Sequence, residues 1–189
     1  MADDATLTML ALDARAGDRQ AANEFVRQTY QQVWRMLVAL SNRRVAEDLT
    51  QETYTRAFRS LPGFRAEASA RTWLLSIARR VAADHLRTNR ARPQIDVNPD
   101  PHDPAAAGDL SESVALRSLV QRLDPDRRVA FVLTQLIGLS YLEAARICDC
   151  PVGTIRSRVA RARDELAAGA SPESRARDDR TGHRRDAST

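Results

Sequence analysis

Lysine is absent from the 189-residue sequence, and all 29 basic side chains are arginine. Every such cation is a planar donor able to grip a phosphate or carboxylate with two bonds. A GC-rich genome, which also favours the plentiful alanine, is the simpler origin of the bias, and function is then to be sought in where the arginines are placed. No run approaches the ~18 consecutive apolar residues that a membrane-spanning helix needs. The opening, MADDATLTMLALDARAGD, is acidic where a secretory signal is basic, and polar residues interrupt its apolar part. Only two cysteines occur, Cys148 and Cys150, too few for a disulfide framework. They could be metal ligands, but no further Cys or His lies nearby, and packing beside a turn is the simpler reading. The histidines, His85, His102 and His183, are scattered, and neither a Gly-rich phosphate loop nor a nucleophile elbow is present. These absences give no support to an enzyme, a cofactor, a metal site or a small-molecule substrate. They lead to the expectation of a cytoplasmic protein without membrane insertion.

Glycine and proline are missing from 18–61, 64–92, 109–124, 126–137, 139–150 and 154–168, and they fall between these blocks. Breakers at boundaries and nowhere else predict a set of helices. With 43% hydrophobic residues the chain can bury a core. No convincing alternating run suggests a strand, so the expected fold class is all-α. Ala22, Phe25, Val26, Val33, Trp34, Leu37 and Leu40 recur at helical spacing. Val45, Leu49, Phe58 and Leu61 do so in the next block, and Trp73, Leu74, Ile77, Ala78, Val81 and Leu86 in the third. A shorter helix near 5–16 is expected to pack onto these three.

The formal net charge of +4 hides an uneven distribution. Residues 1–63 are neutral, 64–92 carry +5, 93–112 carry −5, 113–170 carry +3 and 171–189 carry +1. Two basic segments separated by an acidic, proline-rich one suggest two nucleic-acid contacts joined by a tether kept off the phosphates. The predicted organisation is a helical domain at 1–92, a flexible linker at 93–111, a second helical domain at 112–170 and a disordered tail at 171–189.

In the second domain Asp124 can cap a helix whose first position is Pro125 and which ends at Gly138. Ser140 and Glu143 form a capping box opening a short helix, 141–148. A tight turn, Asp149-Cys150-Pro151-Val152, leads to a longer basic helix beginning near Gly153. This order predicts a helix-turn-helix. Ile155, Val159, Ala162 and Leu166 make the inner stripe of the last helix. Arg156, Ser157 and Arg161 then lie close enough around it to enter one major groove, where arginine can grip guanine bidentately. Thr154 and Arg158 flank that face and suit phosphate contacts. The plainer reading is a solvated basic helix; the capped helix and tight turn before it favour DNA recognition.

At this point the residues resemble a known family. SYLEAARICDCPVGTIRSRVARARDEL resembles region four of the sigma-70 family in its extracytoplasmic-function (ECF) group. AEDLTQETYTRAFRSLPGF followed by ARTWLLSIARRVAADHLR resembles region two of the same group. The wording is nearest to actinobacterial sigma-C-like members, and the resemblance covers about 150 residues in the family's order. It implies a subunit that binds core RNA polymerase, directs it to promoters and assists melting, with no cofactor. Region four would read the −35 element through Arg156, Ser157 and Arg161; Ala160 stands where many relatives carry an aromatic.

The resemblance places the polymerase contact at Asp48, Gln51 and Glu52, facing the clamp coiled coil of the largest catalytic subunit. The alternative there is a solvated face, or a local pair of Glu52 with Arg56. It assigns −10 engagement to the next helix and to the loop Phe64–Ser69, which would form the pocket for a flipped base. Arg71, Arg79, Arg80 and Arg87 would supply the positive charge, with Phe64 and Arg65 contributing from the loop. Arg80 departs from the asparagine of many relatives. Trp73 could stack on a base, although its place in the apolar stripe favours core packing. The acidic linker would thread past the active-site and RNA-exit region, and an anti-sigma factor is expected as a further partner. A stand-alone helix-turn-helix regulator would need a dimerisation helix and a sensory domain, neither of which is visible. A pure interaction protein would leave the arginines of the last helix unexplained.

Overall fold

The computed structural model describes residues 3–91 and 118–170. The expected linker 93–111 and tail 171–189 lie outside the described residues. Among those residues there is no strand. The first unit comprises α1 (Asp4–Arg15), α2 (Arg19–Leu40), α3 (Arg43–Ser60), a 3-10 turn (Leu61–Gly63) and α4 (Ala70–Ala91). In the second, residues 118–122 are helical, followed by α5 (Pro125–Phe131), α6 (Tyr141–Cys148) and α7 (Val152–Ala170).

The boundaries follow local chemistry. Asp3, Asp18, Asn42 and Asp124 each cap a helix by accepting from backbone N–H groups of its first turn. Ser140 and Glu143 close the capping box reciprocally. Gly17 and Gly138 take φ of +103° and +75° where α1 and the α5 segment end. The helix expected to run unbroken from Pro125 to Gly138 instead changes to a π-helical turn over Val132–Leu136. There the Ile137 N–H reaches back five residues to the Val132 carbonyl at 3.0 Å, which leaves Leu136 outward and 52% exposed.

Threonine carries part of the core that the apolar pattern missed. Thr50 and Thr53 of α3 are fully buried, each hydroxyl donating to the carbonyl four residues back at 2.7 Å. Tyr54, also buried, meets the Thr29 hydroxyl at 2.8 Å, and burial pushes its phenol up to about 12. Phe58, expected in the stripe, is 37% exposed instead. The buried face of α3 runs through Ala46, Leu49, Thr53 and Ala57, leaving Phe58 at its margin.

The two units share one contiguous buried cluster. One face of α4, marked by Arg71, Leu75 and Arg79 at four-residue spacing, carries the junction. Leu75 is 1% exposed, while Arg71 and Arg79 reach carbonyls of the second unit. At the end of α2, Gln121 donates to the Ser41 carbonyl at 2.8 Å and Arg128 to the Leu40 carbonyl at 3.5 Å. Both satisfy acceptors that a helix C-terminus leaves open.

Candidate nucleic-acid interface

The last helix sorts as its sequence predicts. Ile155, Val159 and Ala162 are at most 1% exposed, and Leu166 is half-buried. That fixes the rotation of α7 and leaves Arg156, Ser157 and Arg161 outward, with Ala160 exposed among them. Thr154 is half-buried, and the Ser157 hydroxyl rests on its carbonyl at 3.0 Å. Arg158 is partly committed, to Asp126 and to the Cys150 sulfur. Arg163 donates to Gln135 at 2.7 Å and Arg127 pairs with Glu165, so α7 is braced against α5 and the π-helical turn that follows it, while Arg156 and Arg161 face solvent.

The loop between the 3-10 turn and α4 forms one side of an open cavity of about 300 Å³. Arg65, Ala66, Glu67, Thr72 and Trp73 line it, together with Arg146 of α6 from the second unit. Phe64 is the other residue of this loop expected to contribute to −10 engagement, and it also lines the cavity. Its side chain is 5% exposed, its ring 4.9 Å from that of Trp73, so Phe64 is a wall of the cavity. Trp73 is half-buried, packs against Phe64 and also lines the cavity. An aromatic wall rimmed by arginines suits a stacked, negatively tethered base.

The arginines expected at the −10 element divide into two sets. Arg65, Arg80 and Arg87 are exposed. Arg71 and Arg79 are turned inward to the second unit. Arg71 donates to Gln32 at 3.0 Å and to the Ile137 carbonyl at 3.1 Å, and Arg79 to the Ile147 carbonyl at 2.9 Å. Sequence spacing could not show this, because the two carbonyl acceptors lie more than sixty residues away on another element. Arg146, which lines the cavity from the second unit, was missed for the same reason.

On α3, Asp48 and Gln51 are exposed; Asp48 lies one turn before half-buried Glu52, and Gln51 directly precedes it. The local pair foreseen from spacing does form: Arg56 Nε donates to Glu52 at 2.7 Å. Arg56 also donates to Asp84 of α4 at 2.6 Å. That bond, with Arg87 adding to it, holds the Asp84 carboxyl below the usual range. Asp48 takes no part in this chain of ion pairs. Cys148 and Cys150 pack beside the turn between α6 and α7, and burial pushes the Cys148 thiol up to about 11. No group of three or more potential metal ligands occurs among the described residues.

Comparison with known proteins matches both halves. Residues 25–92 match the sigma-70 region 2 family, and residues 113–166 match sigma-70, region 4. The ECF RNA polymerase sigma factor SigC of Mycobacterium tuberculosis is 49% identical over 176 residues, covering 90% of this chain and 95% of its own length. Among solved structures, the chain resembles CnrH in complex with the cytosolic domain of CnrY. That likeness has a TM-score of 0.69, 23% identity and coverage of 86% and 96% of the two chains, and it bears on the fold alone. It also resembles the sigma factor RpoE of Bartonella quintana, solved with the anti-sigma factor NepR. Here the TM-score is 0.60, with 28% identity and coverage of 76% and 94%. With both sigma-70 regions matched in order and a relative 49% identical along nearly its whole length, the chain belongs to the sigma-70 family of RNA polymerase sigma factors, in its ECF group, and is a transcription initiation factor, not an enzyme.

Proposed function

We propose that the chain divides promoter-directed initiation between its two helical units. The first unit binds core polymerase through Asp48, Gln51 and Glu52 and engages the −10 element through Arg65, Arg71, Arg79, Arg80 and Arg87. The cavity beside Trp73 receives a base drawn from its stack. The second unit reads the −35 element with Arg156, Ser157 and Arg161, positioned by phosphate contacts from Thr154 and Arg158. Polymerase holds the units at the promoter spacing, so each weak contact acts at high effective concentration. The setting is the cytoplasm, where polymerase and promoter meet. By analogy with the Bartonella quintana protein, an anti-sigma factor covering the polymerase-binding or DNA-binding faces is the expected negative regulator.

The observation that carries this reading is the cavity: an aromatic-walled, arginine-rimmed opening on the loop that the family resemblance singles out. In the free chain Arg146 of the second unit lines the cavity, and Arg71 and Arg79 are bonded to the second unit. Promoter engagement therefore requires the units to part, while Asp48 and Gln51 stay accessible throughout. The test is the affinity for a single-stranded −10 oligonucleotide, measured by anisotropy for the free chain, core polymerase and holoenzyme. Holoenzyme is expected to bind at least about tenfold tighter than either component, the equivalent of ~1.4 kcal/mol. Equal binding by the free chain and holoenzyme would contradict the proposed parting.

A further inference from the structure

We infer that α1, which lies outside the matched segment 25–92, is a positioning element for the base-receiving loop, with Arg15 and Thr8 as its two grips. The inference rests on the proposed reading of that loop. Asp4, Thr8, Ala11 and Arg15 recur at helical spacing, so they fall along one stripe of α1. Leu7 and Ala11 are buried and fix α1 against the first unit. The polar members of the stripe then meet the loop at both of its ends.

At the first end, Arg15 donates to the Phe64 carbonyl at 2.5 Å, while the Phe64 N–H donates to the Leu61 carbonyl at 3.0 Å. Both backbone groups of Phe64 are thereby held, and Phe64 is the residue whose ring backs Trp73. At the far end, the Ala70 N–H, the first of α4, donates to the Thr8 hydroxyl at 3.1 Å. Ala70 is fully buried, so no solvent substitutes for that acceptor. Thr8 in turn donates to the Asp4 carbonyl at 2.7 Å, which orients the hydroxyl lone pair toward Ala70. Asp4 lies 3.8 Å from Arg71, extending the contact one residue into α4.

Between these anchors Ala66 holds a left-handed backbone, φ +58°, which an alanine adopts only where its surroundings impose it. The surroundings here are the two fixed ends. A loop pinned at Phe64 and Ala70 presents Arg65 and Glu67 to an incoming base, beside Trp73 of α4, in one arrangement; released, it presents several. The bonds from α1 therefore govern discrimination between bases more than overall attraction for DNA.

The test uses holoenzyme formed from the full chain. Random single-stranded −10 oligonucleotides selected by the wild type identify the most discriminating position, and affinities are then measured for all four bases there. Arg15→Gln and Thr8→Val are each expected to reduce the best-to-worst ratio about tenfold, as loss of one hydrogen bond to a charged or buried group implies, with core affinity unchanged. Arg15→Lys and Thr8→Ser, which retain a donor and a hydroxyl, are expected to recover part of the ratio. A lowered melting temperature with an unchanged ratio in both Arg15→Gln and Thr8→Val would overturn the inference and leave α1 as a prop. Arg65→Ala and Glu67→Ala separate the two levels. If they change the ratio while the α1 variants do not, positioning by α1 fails alone. If neither set changes it, the loop is not the base reader and the proposed function of the cavity fails with it.

Discussion

Asp48→Arg is expected to lower affinity for core RNA polymerase at least about 100-fold, with helicity unchanged by circular dichroism. A charge pair desolvated at an interface costs ~2–5 kcal/mol when one partner is lost, and reversal adds repulsion to that loss. Asp48 is the cleanest position for the experiment. It is exposed, and it takes no part in the Glu52–Arg56–Asp84 chain that ties α3 to α4. Glu52→Arg should also weaken core binding, but it releases Arg56 from one carboxylate and alters the free chain as well. Titration of labelled core polymerase with each variant gives the comparison. Equal core affinity for wild type and Asp48→Arg would place the polymerase contact elsewhere.

The second large effect concerns the recognition helix. Arg156→Ala and Arg161→Ala should each reduce transcription from a −35-dependent promoter about 10- to 100-fold, the range of one bidentate base contact at ~1–3 kcal/mol. The loss should depend on sequence: with −35 variants, each substitution should flatten the preference at one position. Arg158→Ala should behave differently. Its guanidinium is shared with Asp126 and the Cys150 sulfur, at the side of the helix rather than its outer face. It should weaken binding uniformly and lower the salt slope by about one. A uniform loss for Arg156→Ala and Arg161→Ala as well would demote both to phosphate contacts.

What could be read from the sequence was what depends on neighbours a few residues away. Asp124 before Pro125, Ser140 with Glu143, and the Ile155–Val159–Ala162 stripe all act within a turn or two, and each takes its expected role. Thr50 and Thr53 escaped a reading based on apolar spacing because their hydroxyls are satisfied by their own helix. They pack as small apolar residues once that bond is made. Phe58 illustrates the reverse error, an apolar side chain at the margin of the stripe that stays 37% exposed. The placement of the site residues was the least legible part. Whether Arg71 and Arg79 face solvent depends on the carbonyls of Ile137 and Ile147. Whether the loop has one shape depends on Arg15 and Thr8. Both are contacts across long stretches of chain, invisible to spacing.

The opposing charges of the chain fit this arrangement. The basic segment 64–92 and the basic helix α7 are the parts assigned to DNA, and the acidic stretch 93–112 separates them along the chain. The most direct measurement of the whole assignment is run-off transcription with sigma-free core polymerase and a promoter library. The expected result is a set of promoter-specific transcripts that require this chain and disappear with Asp48→Arg. Tight binding of the chain to palindromic DNA without polymerase, and no chain-dependent transcript with it, would contradict the assignment.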